Sequence, residues 1–282
     1  MDTRYLKTIL NVISSGSYAA AARQMGLTAA AVSQRVRAVE QQLDTVLFVR
    51  NGKRVTPTDS CLNLIPKMRD LVRDADRLKS DLDPSGLAGP FRIGSISTAL
   101  SDHIPAVLAR CSTEAPQSAL YIVPGTSRDL YEKVVEGDIE AAFLVEPPVA
   151  LPKSVDQIIL ERQRFVALVA AKDTRPFARI VSDDHALVYD LSSWGGCIAK
   201  AWIQQNIQRD QVRCELDSLE VIANAVASGL GFAIVPAWKG LSTLHNVRQI
   251  QLPEIAQTRN ICVVHRRLNA TRIRLLTGFD AV

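Results

Sequence analysis

Apolar residues in the first eighty positions recur at helical spacing, and the interruptions fall where helices start and stop. Leu6, Ile9, Leu10 and Ile13 put one stripe on a first helix ending near Ser15-Gly16. Ser17 caps a second, alanine-rich helix, Tyr18 to Met25, closed by Gly26 in a tight turn. Thr28 caps a third, reaching about Gln42, with Val32, Val36, Val39 and Leu43 on one face and Ser33, Gln34, Arg37 and Gln41 on the other. Val46-Leu47-Phe48-Val49 reads as a short strand, and Asn51-Gly52 before Val55-Thr56 as a hairpin turn. Thr58 then caps a long helix to about Leu82, interrupted by Pro66, which is expected to bend it. Cys61, Leu64, Met68, Leu71, Ala75, Leu78 and Leu82 step along that helix by three and four, the seam of a two-stranded coiled coil. A helix packed on its own chain is the plainer reading; the regular seam favours pairing with a second copy.

Turn residues, Asp83-Pro84-Ser85-Gly86-Leu87-Ala88-Gly89-Pro90, end this helix and form the clearest boundary in the chain. From Phe91 onward strands and helices alternate. Phe91 to Ile96, Leu120 to Val123 and Ala141 to Val145 read as strands, with helices from Leu100 to Cys111 and Arg128 to Glu136 between them. That βαβαβ rhythm predicts a parallel sheet covered on both faces. Phe165 to Ala171 is an apolar strand crossing into a second lobe. There Ala186 to Tyr189, helices at Ala199–Ile207 and Leu219–Ala227, and Gly231 to Pro236 follow. Ile261 to Val264 is a strand returning to the first lobe, and a final helix lies near Asn269–Phe279. The predicted organisation is an α/β protein in four parts. These are a winged helix-turn-helix at 1–58, a linker helix at 59–83, a hinge at 84–90 and a two-lobed effector domain at 91–282. Lobe I covers approximately 91–161 and 266–282, and lobe II approximately 162–265.

Charge changes the picture at one end. The formal net charge is +4. Residues 1–58 carry Arg4, Lys7, Arg23, Arg35, Arg37, Arg50, Lys53 and Arg54 against Asp2, Glu40 and Asp44, leaving the rest of the chain nearly neutral. A basic module on a neutral body suits contact with a polyanion. The third helix presents amide and guanidinium groups that match base edges in a major groove, glutamine to adenine and arginine to guanine. Small residues at Ala29 and Ala30 let its N-terminus approach phosphates closely. The basic hairpin, Arg50 with Lys53 and Arg54, is placed to touch the DNA backbone, which supplies affinity rather than sequence choice. The expected DNA-binding set is Thr28, Ala29, Ala30, Ser33, Gln34, Arg37, Arg50, Lys53 and Arg54.

Residues 1–58 resemble the winged helix-turn-helix of LysR-type transcriptional regulators. Gly16-Ser17, Ala21-Ala22, Ala31-Val32-Ser33-Gln34-Arg35-Val36, Leu47-Phe48 with Arg50, and Pro57-Thr58 opening a long helix carry the likeness. The family usually shows Gln-Pro or Gln-Ser where Ala29-Ala30 stand, and commonly Arg in place of Gln34, so base reading is expected to differ. The resemblance extends more weakly to the final helix, apart from the better-matched Ala-Ser-Gly-Leu-Gly-Phe-Ala-Ile-Val-Pro run ending at Pro236. It implies a homodimer formed through the linker helix at Leu64, Met68, Leu71, Ala75 and Leu78, commonly assembled into a tetramer. It also implies operator binding on double-stranded DNA, a periplasmic-binding-protein-like clamp, and contact with RNA polymerase if the protein activates.

Chemistry of other kinds finds no support. His103, His185, His245 and His265 have no metal-ligand spacing with each other or with a cysteine, and no nucleophile elbow, zinc-helix or phosphate-loop pattern occurs. No enzyme, metal or cofactor is expected. Cys61, Cys111, Cys197, Cys214 and Cys262 are scattered and read as reduced thiols. No apolar stretch approaches the ~18 residues of a membrane span. The expectation is a cytoplasmic regulator. Effector candidates come from strand ends and helix starts: Ser97, Thr98, Thr126, Ser127 and Glu146 in one lobe, Trp194, Gly195 and Val235 in the other. For the hydroxyls, helix capping is the competing role. Two alternatives stay open: a repressor whose clamp serves only assembly, and a clamp-type enzyme or solute binder with an incidental basic domain.

Overall fold

The computed structural model describes residues 1–51, 54–78, 87–266, 268 and 270–279. The chain divides into two compact units, Met1–Gly89 with Glu136–Asp138, and Pro90–Val135 with Ile139–Val282.

In the first unit α1 (Thr3–Ser15), α2 (Tyr18–Met25) and α3 (Ala29–Leu43) start and stop where the sequence signals lie. Ser17 Oγ accepts from the Ala20 N–H and Thr28 Oγ1 from the Ala31 N–H, both at 3.1 Å. Each satisfies a backbone donor that a helix start leaves open, worth about 1 kcal/mol. Gly26 closes α2 at φ 63°, a left-handed conformation in which any other side chain is strained. The apolar stripes meet in one core that includes Leu6, Ile9, Val12, Ala21, Val32, Val36 and Val39.

The hairpin pairs β1 (Phe48–Asn51) with β2 (Arg54–Pro57) antiparallel. The strand predicted from Val46 begins at Phe48 instead, because the preceding backbone is engaged elsewhere. Glu40 Oε1 accepts from the N–H of Leu47 at 2.8 Å and of Phe48 at 3.4 Å, and Leu47 O accepts from the Thr58 N–H at 2.9 Å. The predicted tip, Gly52-Lys53, lies outside the described residues.

α4 (Asp59–Arg77) starts on Thr58, whose Oγ1 accepts from the Cys61 N–H at 3.2 Å, and contains Pro66. Its predicted seam divides in two. Cys61 and Met68 are buried in the core of their own domain, with Leu64 and Val72 packed against it. The first half of α4 is therefore a fourth core helix, and packing marks no boundary at residue 58. Met68 is filled by its own chain and has no apolar surface left for a partner. Leu71 and Leu78 point elsewhere, 43% and 66% exposed, with Ala75 half-buried beside them. Leu82 and residues 79–86 lie outside the described residues.

The second unit runs β3 (Gly89–Ser95), α5 (Ser97–Asp102), α6 (Ile104–Glu114), β4 (Ser118–Pro124), α7 (Ser127–Glu136), β5 (Ala141–Val145) and β6 (Val155–Gln163). It continues with β7 (Phe165–Ala170), α8 (Phe177–Asp183), β8 (Ala186–Tyr189), α9 (Lys200–Asn206), β9 (Val212–Leu216) and α10 (Leu219–Ala227). β10 (Phe232–Pro236), β11 (Val247–Gln251), β12 (Arg259–Arg266) and α11 (Ala270–Thr277) complete it. Two five-stranded sheets result, ordered β4-β3-β5-β12-β6 and β11-β7-β10-β8-β9.

Both sheets are mixed rather than parallel. β3 and β5 run parallel, but β12 runs antiparallel to β5 and β6; β8 is parallel to β9 and β10, but β7 opposes β10 and β11. The two crossing strands, β7 and β12, enter each sheet from the side where the parallel strands leave it. The chain crosses at Arg164 and returns by Arg259, so β12 and the end of β6 belong to lobe I and the predicted boundaries at 162 and 265–266 are corrected. β6, β9 and β11 were not foreseen. Along β7 Phe165, Ala167 and Val169 enter one core while Val166 and Leu168 enter another, which is why that strand is apolar throughout.

Among the cysteines, Cys61, Cys111 and Cys262 are buried and Cys197 and Cys214 exposed. Burial pushes the Cys61 thiol up to about 11 and raises those of Cys111 and Cys262. Since the thiolate is the reacting form, native protein treated with an alkylating reagent at pH 8 is expected to take two rapid labels, at Cys197 and Cys214. Mass spectrometry showing rapid labelling of any third cysteine would contradict the buried placement.

Candidate functional site

Two surfaces collect the residues singled out from the sequence. On α3, Thr28, Ala29, Ala30, Gln34 and Arg37 are exposed and Ser33 is half-buried. Ala30, Ser33, Gln34, Arg37, Ala38 and Gln41 border a shallow concavity of about 450 Å³ along the helix. Arg37 has no hydrogen bond or ion pair among the described residues. Arg35, by contrast, turns inward, donating to Thr8 Oγ1 at 3.2 Å and lying over the Tyr5 ring. The hairpin presents exposed Arg50 and Arg54; the Arg50 guanidinium stacks 4.9 Å from the Tyr18 ring centre, and Tyr18 packs edge-on against Phe48. Lys53 lies outside the described residues.

The second surface is a cleft of about 590 Å³ in the two-lobed unit. It forms where strands end. Ile96 and Ser97 follow β3, Gly125 to Asp129 follow β4, Tyr189 to Trp194 follow β8, and Asp217 to Leu219 follow β9. Carboxyl ends of strands leave backbone donors and short polar side chains facing a crevice, the usual place for a ligand in such sheets. Trp194, in the lining of the cleft, meets Tyr131 of lobe I edge-on, ring centres 5.6 Å apart.

Of the predicted effector residues, Ser97, Thr126, Ser127 and Trp194 line this cleft. Thr126 Oγ1 also caps α7 through the Asp129 N–H at 3.2 Å, and Ser127 Oγ accepts from the Val145 N–H at 3.1 Å, so both hydroxyls have structural work. Thr98 is 2% exposed and sits behind the wall, its Oγ1 accepting from Arg259 Nη2 at 3.3 Å. Glu146 lies off the cleft, taking hydrogen bonds from Asn260 Nδ2 at 2.7 Å and Gln157 Nε2 at 3.2 Å. Val235 is wholly buried in a lobe II core, and Gly195 is buried against the Tyr189 hydroxyl and the Arg259 guanidinium.

The residue missed from the sequence is Arg259. It is 2% exposed, lies in the wall of the cleft, donates Nη1 to Gln163 Oε1 at 3.0 Å and stands over the Tyr189 ring at 5.8 Å. Its Nε has no hydrogen-bond partner among the described residues. Because β12 runs antiparallel to β5, its first residue emerges at the edge where the parallel strands end. An arginine two residues before the apolar run Ile261–Val264 was the available signal. Asp190 and Asp217 line the cleft from lobe II. Partial desolvation in the cleft wall, reinforced by the negative charge of Asp190, holds the Asp217 carboxyl above the usual carboxylate range although the residue keeps contact with solvent, with Arg259 offsetting part of the effect. Asp102, at the end of α5, accepts from the Lys239 and Gly240 N–H groups at 3.0 Å and ties the lobes together.

A winged helix-turn-helix joined to a two-lobed clamp with a polar cleft defines a ligand-responsive DNA-binding regulator. Comparison with known proteins gives the family. Residues 3–62 match the bacterial regulatory helix-turn-helix protein, lysR family, and residues 84–277 match the LysR substrate binding domain. The chain belongs to the LysR family of DNA-binding transcriptional regulators, with an effector-binding domain and no enzymatic role. It is 28% identical over 244 residues to the transcriptional activator IlvY of Salmonella typhimurium, covering 84% of this chain and 82% of that one. It is 23% identical over 241 residues to the regulator GltR of Bacillus subtilis, covering 84% and 80%. In fold it is similar to a full-length OxyR variant from Pseudomonas aeruginosa, with TM-score 0.68, 20% identity and coverage of 99% and 94%. Among the described residues no helix is long and apolar enough to cross a membrane, and no cluster of acids, histidines and cysteines suits a metal ion.

Proposed function

We propose that the protein binds operator DNA as a homodimer, assembled further into a tetramer, and that a small molecule in the inter-lobe cleft changes its grip on that DNA. The observation that carries the reading is the exposed face of α3, where Gln34 and Arg37, without a partner among the described residues, stand clear of the core. A helix offering an amide and a guanidinium on its open side is built to read base edges, while Thr28, Arg50 and Arg54 reach phosphates on either side. Leu71 and Leu78 supply the apolar surface for pairing. Ser97, Thr126, Ser127 and Trp194 take the effector, with RNA polymerase a further partner where binding activates.

The test starts from a site selected from random duplexes by the full-length protein. Arg37→Ala is expected to lower affinity for that site and flatten preference at one base position by ~1–3 kcal/mol. Arg54→Ala weakens all duplexes alike and reduces the salt slope by about one. Competition titrations at several salt concentrations read both effects; two variants that bind as wild type does would reject the α3 and hairpin assignment.

A further inference from the structure

Arg259 is a fixed positive charge set almost wholly out of solvent, and its hydrogen-bond partners among the described residues are neutral: the Gln163 amide oxygen and the Thr98 hydroxyl. Among the described residues it has no carboxylate within 4.0 Å, and Nε is unpartnered. A desolvated guanidinium with no carboxylate in contact is costly, the charge of Asp217 reaching it only from a distance, and its place in the wall of the cleft leaves the contacting counter-charge to the ligand. A carboxylate suits it, because two parallel N–H groups match two carboxylate oxygens. Across the same cleft the charge is reversed. Asp190 and Asp217 line it from lobe II, with no cation within 4.0 Å of either among the described residues. A ligand with two carboxylates would set one of them against these aspartates. A ligand with a carboxylate alone would leave them mutually repelling.

Resting on the reading of this cleft as the effector site, we propose that the ligand is a small α-amino acid, its carboxylate on Arg259 and its ammonium toward Asp190 and Asp217. The hydroxyls of Ser97 and Thr126 and the Trp194 ring then bound its remaining surface. The cleft volume of about 590 Å³ accommodates a molecule of this size.

The experiment measures melting of the full-length protein with each of the twenty common L-amino acids. For every one that stabilises, its α-carboxamide and its 2-keto acid are also tested. At least one amino acid is expected to raise the melting temperature by mass action, and neither analogue is expected to do so at the same concentration. Titration calorimetry should show Arg259→Lys and Asp217→Asn each weakening that amino acid roughly tenfold or more. Asp217 is exposed, so its variant folds even if the Arg259 variant does not. The proposal falls if no amino acid stabilises, if the carboxamide binds equally well, or if Asp217→Asn leaves affinity unchanged. Operator affinity measured in the same samples separates the two levels. Should keto acids or dicarboxylates shift both melting and DNA binding, the effector reading stands and the amino-acid assignment fails. If an amino acid binds with the expected dependence on Arg259 and Asp217 yet leaves operator binding unchanged, the assignment stands and the effector reading fails.

Discussion

Leu71→Asp is expected to turn the proposed dimer into a monomer and to cost two orders of magnitude or more in affinity for a two-half-site operator, while leaving each chain folded. Leu71 is 43% exposed and belongs to no core of its own domain, so an aspartate there meets water in the monomer. In the proposed dimer that position is a knob in the facing helix, and an unpaired carboxylate buried there is strongly unfavourable. Losing the second chain removes the second half-site contact, which tethering supplies at an effective concentration near millimolar; roughly a hundredfold loss follows. Met68→Asp is the control with the opposite signature. Met68 is 4% exposed in its own core, so its carboxylate unfolds the winged domain instead of separating chains. Sedimentation and a thermal melt tell the two apart. If Leu71→Asp sediments as a dimer, pairing runs through another surface.

How much of this was legible in the sequence differs sharply between the two units. Local signals decide the winged domain: Ser17, Thr28 and Thr58 cap the helices they precede, and Gly26 ends α2. The seam on α4 was legible as a period but not as a direction. Cys61, Met68 and Val72 face the domain core, and Leu71 and Leu78 lie to one side of it, a division that a step of three and four does not reveal. In the clamp, the apolar runs of β5, β7 and β10 announced buried strands, whereas β9 and β11, with their alternating polar residues, did not. The site was half legible. Ser97, Thr126, Ser127 and Trp194 follow strand ends, which sequence places well. Arg259 depends on a return strand from the far end of the chain, and only its pairing with β5 brings it to the cleft.

Gly195-Gly196 shows the same distinction in one dipeptide, and Gly196→Ala is expected to be strongly damaging for so conservative a change in the clamp. Gly195 precedes and Gly196 opens a helical turn at Gly196–Ala199, and the sequence reading assigns Gly195 a ligand-binding role. A Cβ at Gly196 would lie 2.0 Å from the Asp190 carbonyl oxygen and 2.7 Å from its carbon. Both are backbone atoms, held by the Ser193 N–H donating to Asp190 O at 3.1 Å and by Ser193 Oγ donating to the same oxygen at 2.7 Å. The segment from Asp190 to Trp194 must therefore move as a body. Overpacking of this kind costs ~1–3 kcal/mol or more, a fall of roughly 5 °C in the clamp's melting temperature. Asp190, Ser193 and Trp194 leave their places in the cleft wall, so effector response is lost along with stability. At Gly195 the nearest atoms are side-chain ones, Tyr189 Oη at 2.6 Å and Arg259 Nε at 3.0 Å, which have more freedom to give way. Gly195→Ala is accordingly the milder variant in the melt. Effector-free operator binding should survive both, because no part of α3 or the hairpin is touched. An unchanged melting temperature for Gly196→Ala would show that the 190–196 turn does not hold the close approach seen here.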